Sequence, residues 1–222
     1  MSDSENECFD KRLKIVLLGD CLTGKTSIAT RYTQDNFWKE YKKTMGVDFY
    51  LKRIILRGQM NVVLQIWDVS GICLGSSMLE NYIYGAQGII LVYDITNYIS
   101  FENLEDWLLT INRSCLHSGK SPSHLALVGN KVDLEHVRAV SEERHVKFAA
   151  DHNMSNHFIS AKTGECMSVC FQRVAAELVG LKLTTAEKEQ QQQVVTANIE
   201  CEPCPKVASV QNSPRSPICS LQ

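Results

Sequence analysis

From Leu13 onward, short apolar runs alternate with stretches whose apolar residues recur every three or four positions. LKIVLLG (13–19), VDFYLKRIILRG (47–58), NVVLQIWD (61–68), GIILVYD (88–94), HLALVGNK (124–131) and HFISAK (157–162) read as strands, with helices between them. The clearest helical pattern runs from Glu165 to Val179, where Met167, Cys170, Phe171, Val174, Ala175 and Leu178 form one apolar stripe that should pack on a sheet. Strands that are apolar on both faces, separated by helices, predict a mainly parallel sheet covered on both sides. The second and third runs are separated only by a short Gly-containing turn, which predicts an antiparallel hairpin at one edge. The expected fold is therefore α/β: a three-layer sandwich around a mostly parallel six-stranded sheet with one antiparallel edge strand.

After about Leu183 this pattern decays into TTAEKEQQQQVV and CEPCPKVASVQNSPRSPICSLQ, the latter holding four of the chain's five prolines. Such a segment buries too little apolar surface to offset its ordering entropy. The expected organisation is a flexible N-terminus over 1–12, one domain over 13–183 and a flexible tail over 184–222. Lys plus Arg number 23 against 25 Asp plus Glu, so no global field favours nucleic acid. No run approaches a membrane span and the start MSDSENECFDKR is acidic, which predicts a cytosolic chain. Nine irregularly spaced cysteines, several within apolar segments, fit reduced thiols, and no structural disulfide is expected. Cys201 and Cys204 form a C-x-x-C with no second pair at zinc spacing, which reads as two exposed tail thiols.

Residues 19–26, GDCLTGKT, fit G-x-x-x-x-G-K-[ST] between a predicted strand and a predicted helix, the context that turns a chance glycine pattern into a phosphate-binding loop. Gly24 lets the backbone approach phosphate oxygens, successive N–H groups and the helix N-terminus supply partial positive charge, Lys25 adds a full charge, and the Thr26 hydroxyl can ligate Mg²⁺. Cys21, Thr23, Gly24, Lys25, Thr26 and Ser27 are the candidate contacts on this loop. Asn130-Lys131-Val132-Asp133 then selects the base. A carboxylate at the carboxyl edge of the sheet can accept both the N1–H and the 2-amino hydrogens of guanine, and adenine offers neither. A site built to hydrogen-bond in this way rejects the wrong partner by about 10⁴ or more. Ser160-Ala161-Lys162 would add a backbone N–H for guanine O6 and an aliphatic stem beside the ring.

With these three motifs in order at strand ends, the chain over about 13–180 resembles the Ras-like small GTPases and, within them, the Rab family. MGVDF, WDVSG and YGAQGIILVYD resemble Rab switch and interswitch segments, and ITNYISFENLEDW with the CaaX-like ending resembles a divergent branch of that family. The resemblance implies a P-loop NTPase fold binding GTP or GDP with Mg²⁺. Thr26 and Thr44 would ligate the metal, with Asp68 holding it mainly through water, and Lys25 and the Gly71 N–H would contact the γ-phosphate. Phe37 would lie against the guanine and Tyr41 would cover the phosphates, making Lys25, Thr44 and Gly71 the residues that serve catalysis. Phe49, Trp67 and Tyr82 match an aromatic triad that Rabs display to effectors, with a role as core aromatics the alternative from the residues alone. Cys219-Ser-Leu-Gln fits C-a-a-X with Gln last, which favours farnesyl, and a single chain of that kind with few basic neighbours gives reversible attachment. The implied partners are effectors, exchange and activating factors, a prenyltransferase and a prenyl-binding carrier. The implied setting is cytosol and the cytoplasmic face of membranes, at a ciliary base or endosomes, with the chain a monomer.

Two positions depart from the family pattern, Ile72 and Cys21. The residue after the D-x-x-G glycine is normally Gln, whose amide orients the attacking water; here it is Ile72, which neither donates nor accepts a hydrogen bond. Cys73 is no obvious substitute, and Cys21 stands where Gly is frequent, narrowing the same space. Two functions follow: a switch enzyme with weakened hydrolysis, helped by a partner's glutamine or arginine, or a persistently GTP-bound module that recruits effectors with negligible turnover.

Overall fold

The computed structural model describes residues 11–181 apart from 38–39, 41 and 58–59. Six strands, β1 (Lys11–Leu18), β2 (Val47–Leu56), β3 (Met60–Val69), β4 (Gly88–Asp94), β5 (His124–Asn130) and β6 (Ser155–Ile159), form one sheet in the order β2-β3-β1-β4-β5-β6. Only β2 and β3 run antiparallel; every other neighbouring pair is parallel. Six α-helices among the described residues accompany them: α1 (Lys25–Gln34), α2 (Ser77–Ile83), α3 (Tyr98–Glu102), α4 (Leu104–Ser118), α5 (Glu142–Asp151) and α6 (Met167–Val179). Six strands and the antiparallel edge are as the apolar pattern predicts. The predicted helix at Glu165 starts two residues later, because Cys166 takes a left-handed conformation at the helix entry.

Alternation along the strands builds two cores. On β1, Leu13, Ile15 and Leu17 point to one face and meet α1 and α6 residues such as Ile28, Phe171 and Val174. Val16 and Leu18 point to the other face, where Leu79 of α2, Trp107 and Ile111 of α4 and Ala149 of α5 close over them. The same split on β4 sends Ile90 and Val92 one way and Ile89, Leu91 and Tyr93 the other, so a strand buried on both faces reads as an unbroken apolar run. The stripe read on α6 is the face that packs: Met167, Cys170, Phe171, Val174 and Ala175 are buried, and Leu178 packs partly buried against them. Phe171 stacks on Tyr32 of α1 with ring centroids 4.0 Å apart, which ties the two helices of that layer together. β1, β4, β5 and β6 therefore end side by side at one carboxyl edge, and the loops that carry the motifs leave from there. No helix among the described residues is long and apolar enough to cross a membrane.

Candidate functional site

The loops at the carboxyl edge enclose a cleft of about 930 Å³. Cys21, Gly24, Lys25, Thr26, Ser27, Phe37, Thr44, Gly71, Asn130, Lys131, Asp133, Ala161 and Lys162 all line it, so residues spread over most of the sequence meet in one place. Thr23 and Ser160 lie just behind this wall, both buried. Tyr41 and Cys219 lie outside the described residues.

On the phosphate side, β1 ends and the chain turns back before α1. Gly24 precedes the helix at φ 91°, and an added Cβ there would overlap the Asn130 side-chain amide. The first turn of α1 has no side-chain cap and no acidic residue, which leaves its N–H groups and positive dipole end open to an anion. Lys25 is buried, and its ammonium is held by the carbonyls of Gly19 and Asp20, each at 2.7 Å. Burial pushes its pKa down, partly offset by the nearby Asp68 carboxylate.

On the metal side, the Thr26 hydroxyl stands 3.0 Å from that of Thr44 and donates to Asp68 Oδ2 at 2.5 Å. The other carboxylate oxygen, Oδ1, is buried with no hydrogen-bond partner. Burial pushes the Asp68 carboxyl up to about 6, against the pull of the Thr26 hydroxyl and the Lys25 ammonium. An orphaned carboxylate oxygen beside two converging hydroxyls is an oxygen-only donor set, and it fits a hard divalent cation such as Mg²⁺. Gly71 sits directly against the phosphate loop: a Cβ there would overlap the main chain of Asp20 and Cys21. The Gly46 carbonyl receives the Ser70 N–H at 2.9 Å and the Cys73 thiol at 3.8 Å, joining the Thr44 loop to the Gly71 loop. Ile72 is 56% exposed at this junction.

On the base side the polar side chains already have partners. Asn130 donates to the Thr23 carbonyl at 2.8 Å and accepts from the Ala161 N–H at 3.1 Å. Asp133 accepts from the Ser160 hydroxyl at 2.6 Å and faces the Lys162 ammonium at 3.4 Å. Lys131 adopts a left-handed conformation, φ 71°, and its ammonium pairs with Asp94 at 2.6 Å, which lays its aliphatic stem along the cleft. Phe49 is exposed and meets the half-buried Trp67 edge-on at 4.5 Å, while Tyr82 is half buried beside the second core.

The family model described as Ras family matches residues 14–180. The chain is a Rab-type member of the Ras family. Its relatives include the Ras-related protein Rab-28 of Caenorhabditis elegans, 39% identical over 89% of this chain and 79% of that one. Rab-10 of the same nematode is 38% identical over 84% of this chain and 90% of its own, and Rab-13 of the dog, Canis lupus familiaris, 33% identical over 78% and 83%. As a Rab it is a small GTPase, a guanine-nucleotide switch in membrane traffic. Motif reading located most of the cleft of this Rab but missed three partners. Asp94, which positions Lys131, and the pair Asn103 and Trp107, which holds Asp20, are bonded across 37, 83 and 87 positions. The available signal was an acidic residue inside a loop meant for phosphate, which demands donors from elsewhere.

Proposed function

We propose that this Rab senses GTP through an intact phosphate and metal site but hydrolyses it slowly. The observation that carries the reading is Ile72, placed directly after the Gly71 that abuts the phosphate loop. From Gly71 to Gly75 the sequence GICLG offers only a thiol as a side-chain hydrogen-bonding group, and that thiol is directed at the Gly46 carbonyl. The loop therefore has no side chain of its own to orient a water toward the γ-phosphate.

The remaining machinery supports nucleotide-dependent switching. Lys25 and the open N–H groups of α1 face the phosphate position, with Asn130 and Asp133 on the guanine side, where Asn130 already accepts the Ala161 N–H. Thr26, Thr44 and Asp68 would hold Mg²⁺, which when bound neutralises phosphate charge during transfer. The Thr44 and Gly71 loops, already bonded to each other, would close on a third phosphate and part without it. Trp67 precedes Asp68 and faces Phe49 across β2 and β3, and Tyr82 lies on α2, which follows the Gly71 loop, so a partner bound there would read the state of the loops. Cys219 would carry a farnesyl group for reversible attachment to a cytoplasmic membrane face. A Cys219→Ser variant should leave the membrane fraction, and an unchanged fraction would count against attachment.

Single-turnover release of γ-phosphate tests the central claim. Ile72→Gln should accelerate release by about one to two orders of magnitude, since it restores a water-positioning amide. Equal rates in both proteins would sink the assignment to Ile72. Wild-type release too slow to measure, with a faster variant, would favour the persistently GTP-bound module.

A further inference from the structure

The phosphate loop contains a carboxylate, Asp20, where a further negative charge works against phosphate binding. Its side chain is clamped. Oδ1 accepts the Trp107 indole Nε1–H at 2.9 Å and Oδ2 accepts the Asn103 side-chain amide at 2.6 Å. The two donors are four positions apart at the start of α4, so a single helical turn presents both on one face. Trp107 is fully buried and Asn103 occupies the position that enters the helix. Asn is among the residues best suited to cap its own helix there, yet this side chain makes no capping bond and is turned to Asp20. Meanwhile the Asp20 main-chain carbonyl accepts from the Lys25 ammonium at 2.7 Å and from the Thr23 hydroxyl at 2.9 Å. One residue thus grips α4 with its side chain and the phosphate lysine with its backbone.

We propose that Asp20 is a positioning residue: clamped by Asn103 and Trp107, it fixes the phosphate-loop backbone, and hence Lys25, in the geometry that retains nucleotide. Two N–H dipoles directed at the carboxylate also offset its charge, which makes an acid tolerable beside phosphate. The inference rests on the reading of residues 19–26 as the nucleotide phosphate site.

The test compares wild type, Asp20→Asn and Trp107→Phe in Mg²⁺ with a fluorescent GDP analogue, alongside denaturation of the nucleotide-free proteins. Asp20→Asn keeps the shape but turns a donor toward one of the two N–H groups. Trp107→Phe keeps a buried ring and removes the donor. Both should release GDP about tenfold faster, the size expected for losing a charge-assisted hydrogen bond. The Trp107 indole N–H resonance should also move upfield in Asp20→Asn. If Trp107→Phe fails to fold, the half-buried Asn103→Ala carries the same expectation. Release within twofold of wild type in the folded variants, or lower apo stability with unchanged release, overturns the clamp and leaves the phosphate-site reading standing. A folded wild type that binds no GDP analogue overturns that reading itself.

Discussion

The base side and the metal side of the cleft are built from the same kinds of residue and reach opposite states. Asp133 is paired with the Ser160 and Lys162 side chains, and Asn130 with the main chain of Thr23 and Ala161. Around Asp68 a carboxylate oxygen is left buried and alone, and burial raises the carboxyl's pKa to about 6. A pocket whose groups are already oriented gains selectivity because little is reorganised on binding. A pocket with an unmet charge gains responsiveness, because whatever fills it changes the balance of the loops around it. On the proposed reading, recognition of guanine and response to the third phosphate would sit on separate halves of one sheet edge.

The largest expected effect comes from breaking the paired half. Asp133→Asn should weaken GDP binding by about 10³-fold, since its amide would face guanine's donors with donors of its own. Binding should shift toward a base bearing a carbonyl at position 2, and competition between guanosine and xanthosine nucleotides measures the change. Unaltered preference would mean that Asp133 does not read the base.

On the unmet half the signs should split. Asp68→Asn should stabilise the nucleotide-free protein by about 1–3 kcal/mol, because a carboxylate whose burial outweighs its pairing with Thr26 and Lys25 is removed. It should also abolish the extra stability that Mg²⁺ gives the nucleotide complex. Denaturant melts with and without metal check both arms, and a variant destabilised in each would refute the picture of a charge waiting for a cation.

A further effect, absent at neutral pH, tests whether acid reaches the base side through its supporting layer. His145 of α5 is fully buried with Nδ1 at 2.9 Å from the Tyr93 hydroxyl and Nε2 unpartnered, and burial pushes its pKa down to about 3. Burial also pushes His157 of β6 down to about 4. Both pKa values lie below the unfolded one, so the unfolded chain takes up protons that the native protein refuses. Stability is therefore full above about 6.5 and falls as pH drops toward 4, by about 2 kcal/mol per histidine at pH 5. His145→Gln should flatten the decline of the thermal midpoint between pH 7 and 5. A slope identical to wild type would place the acid sensitivity elsewhere.

Much of this was legible along the chain because it is encoded locally. The unbroken runs of β1, β4 and β5 announce strands buried on both sides, and the spacing of GDCLTGKT, NKVD and SAK places their functional groups at strand ends. The start of α6 was misplaced by two residues because a left-handed Cys166 leaves no mark in apolar periodicity. The pairings of Asp20 with Trp107 and of Lys131 with Asp94 were invisible for another reason. Each joins elements brought together only by a parallel crossover, so neither partner's local sequence requires the other.

Asn130 has a mechanical consequence. One end of its amide holds the Thr23 carbonyl in the phosphate loop and the other holds the Ala161 N–H in the loop over the base. With a guanine nucleotide in the cleft as proposed, such a latch would tie the two grips together: a factor that pried at the phosphates would slacken the hold on the ring, and one that lifted the ring would loosen the phosphates. Leverage applied at either end of that nucleotide would then be felt at the other.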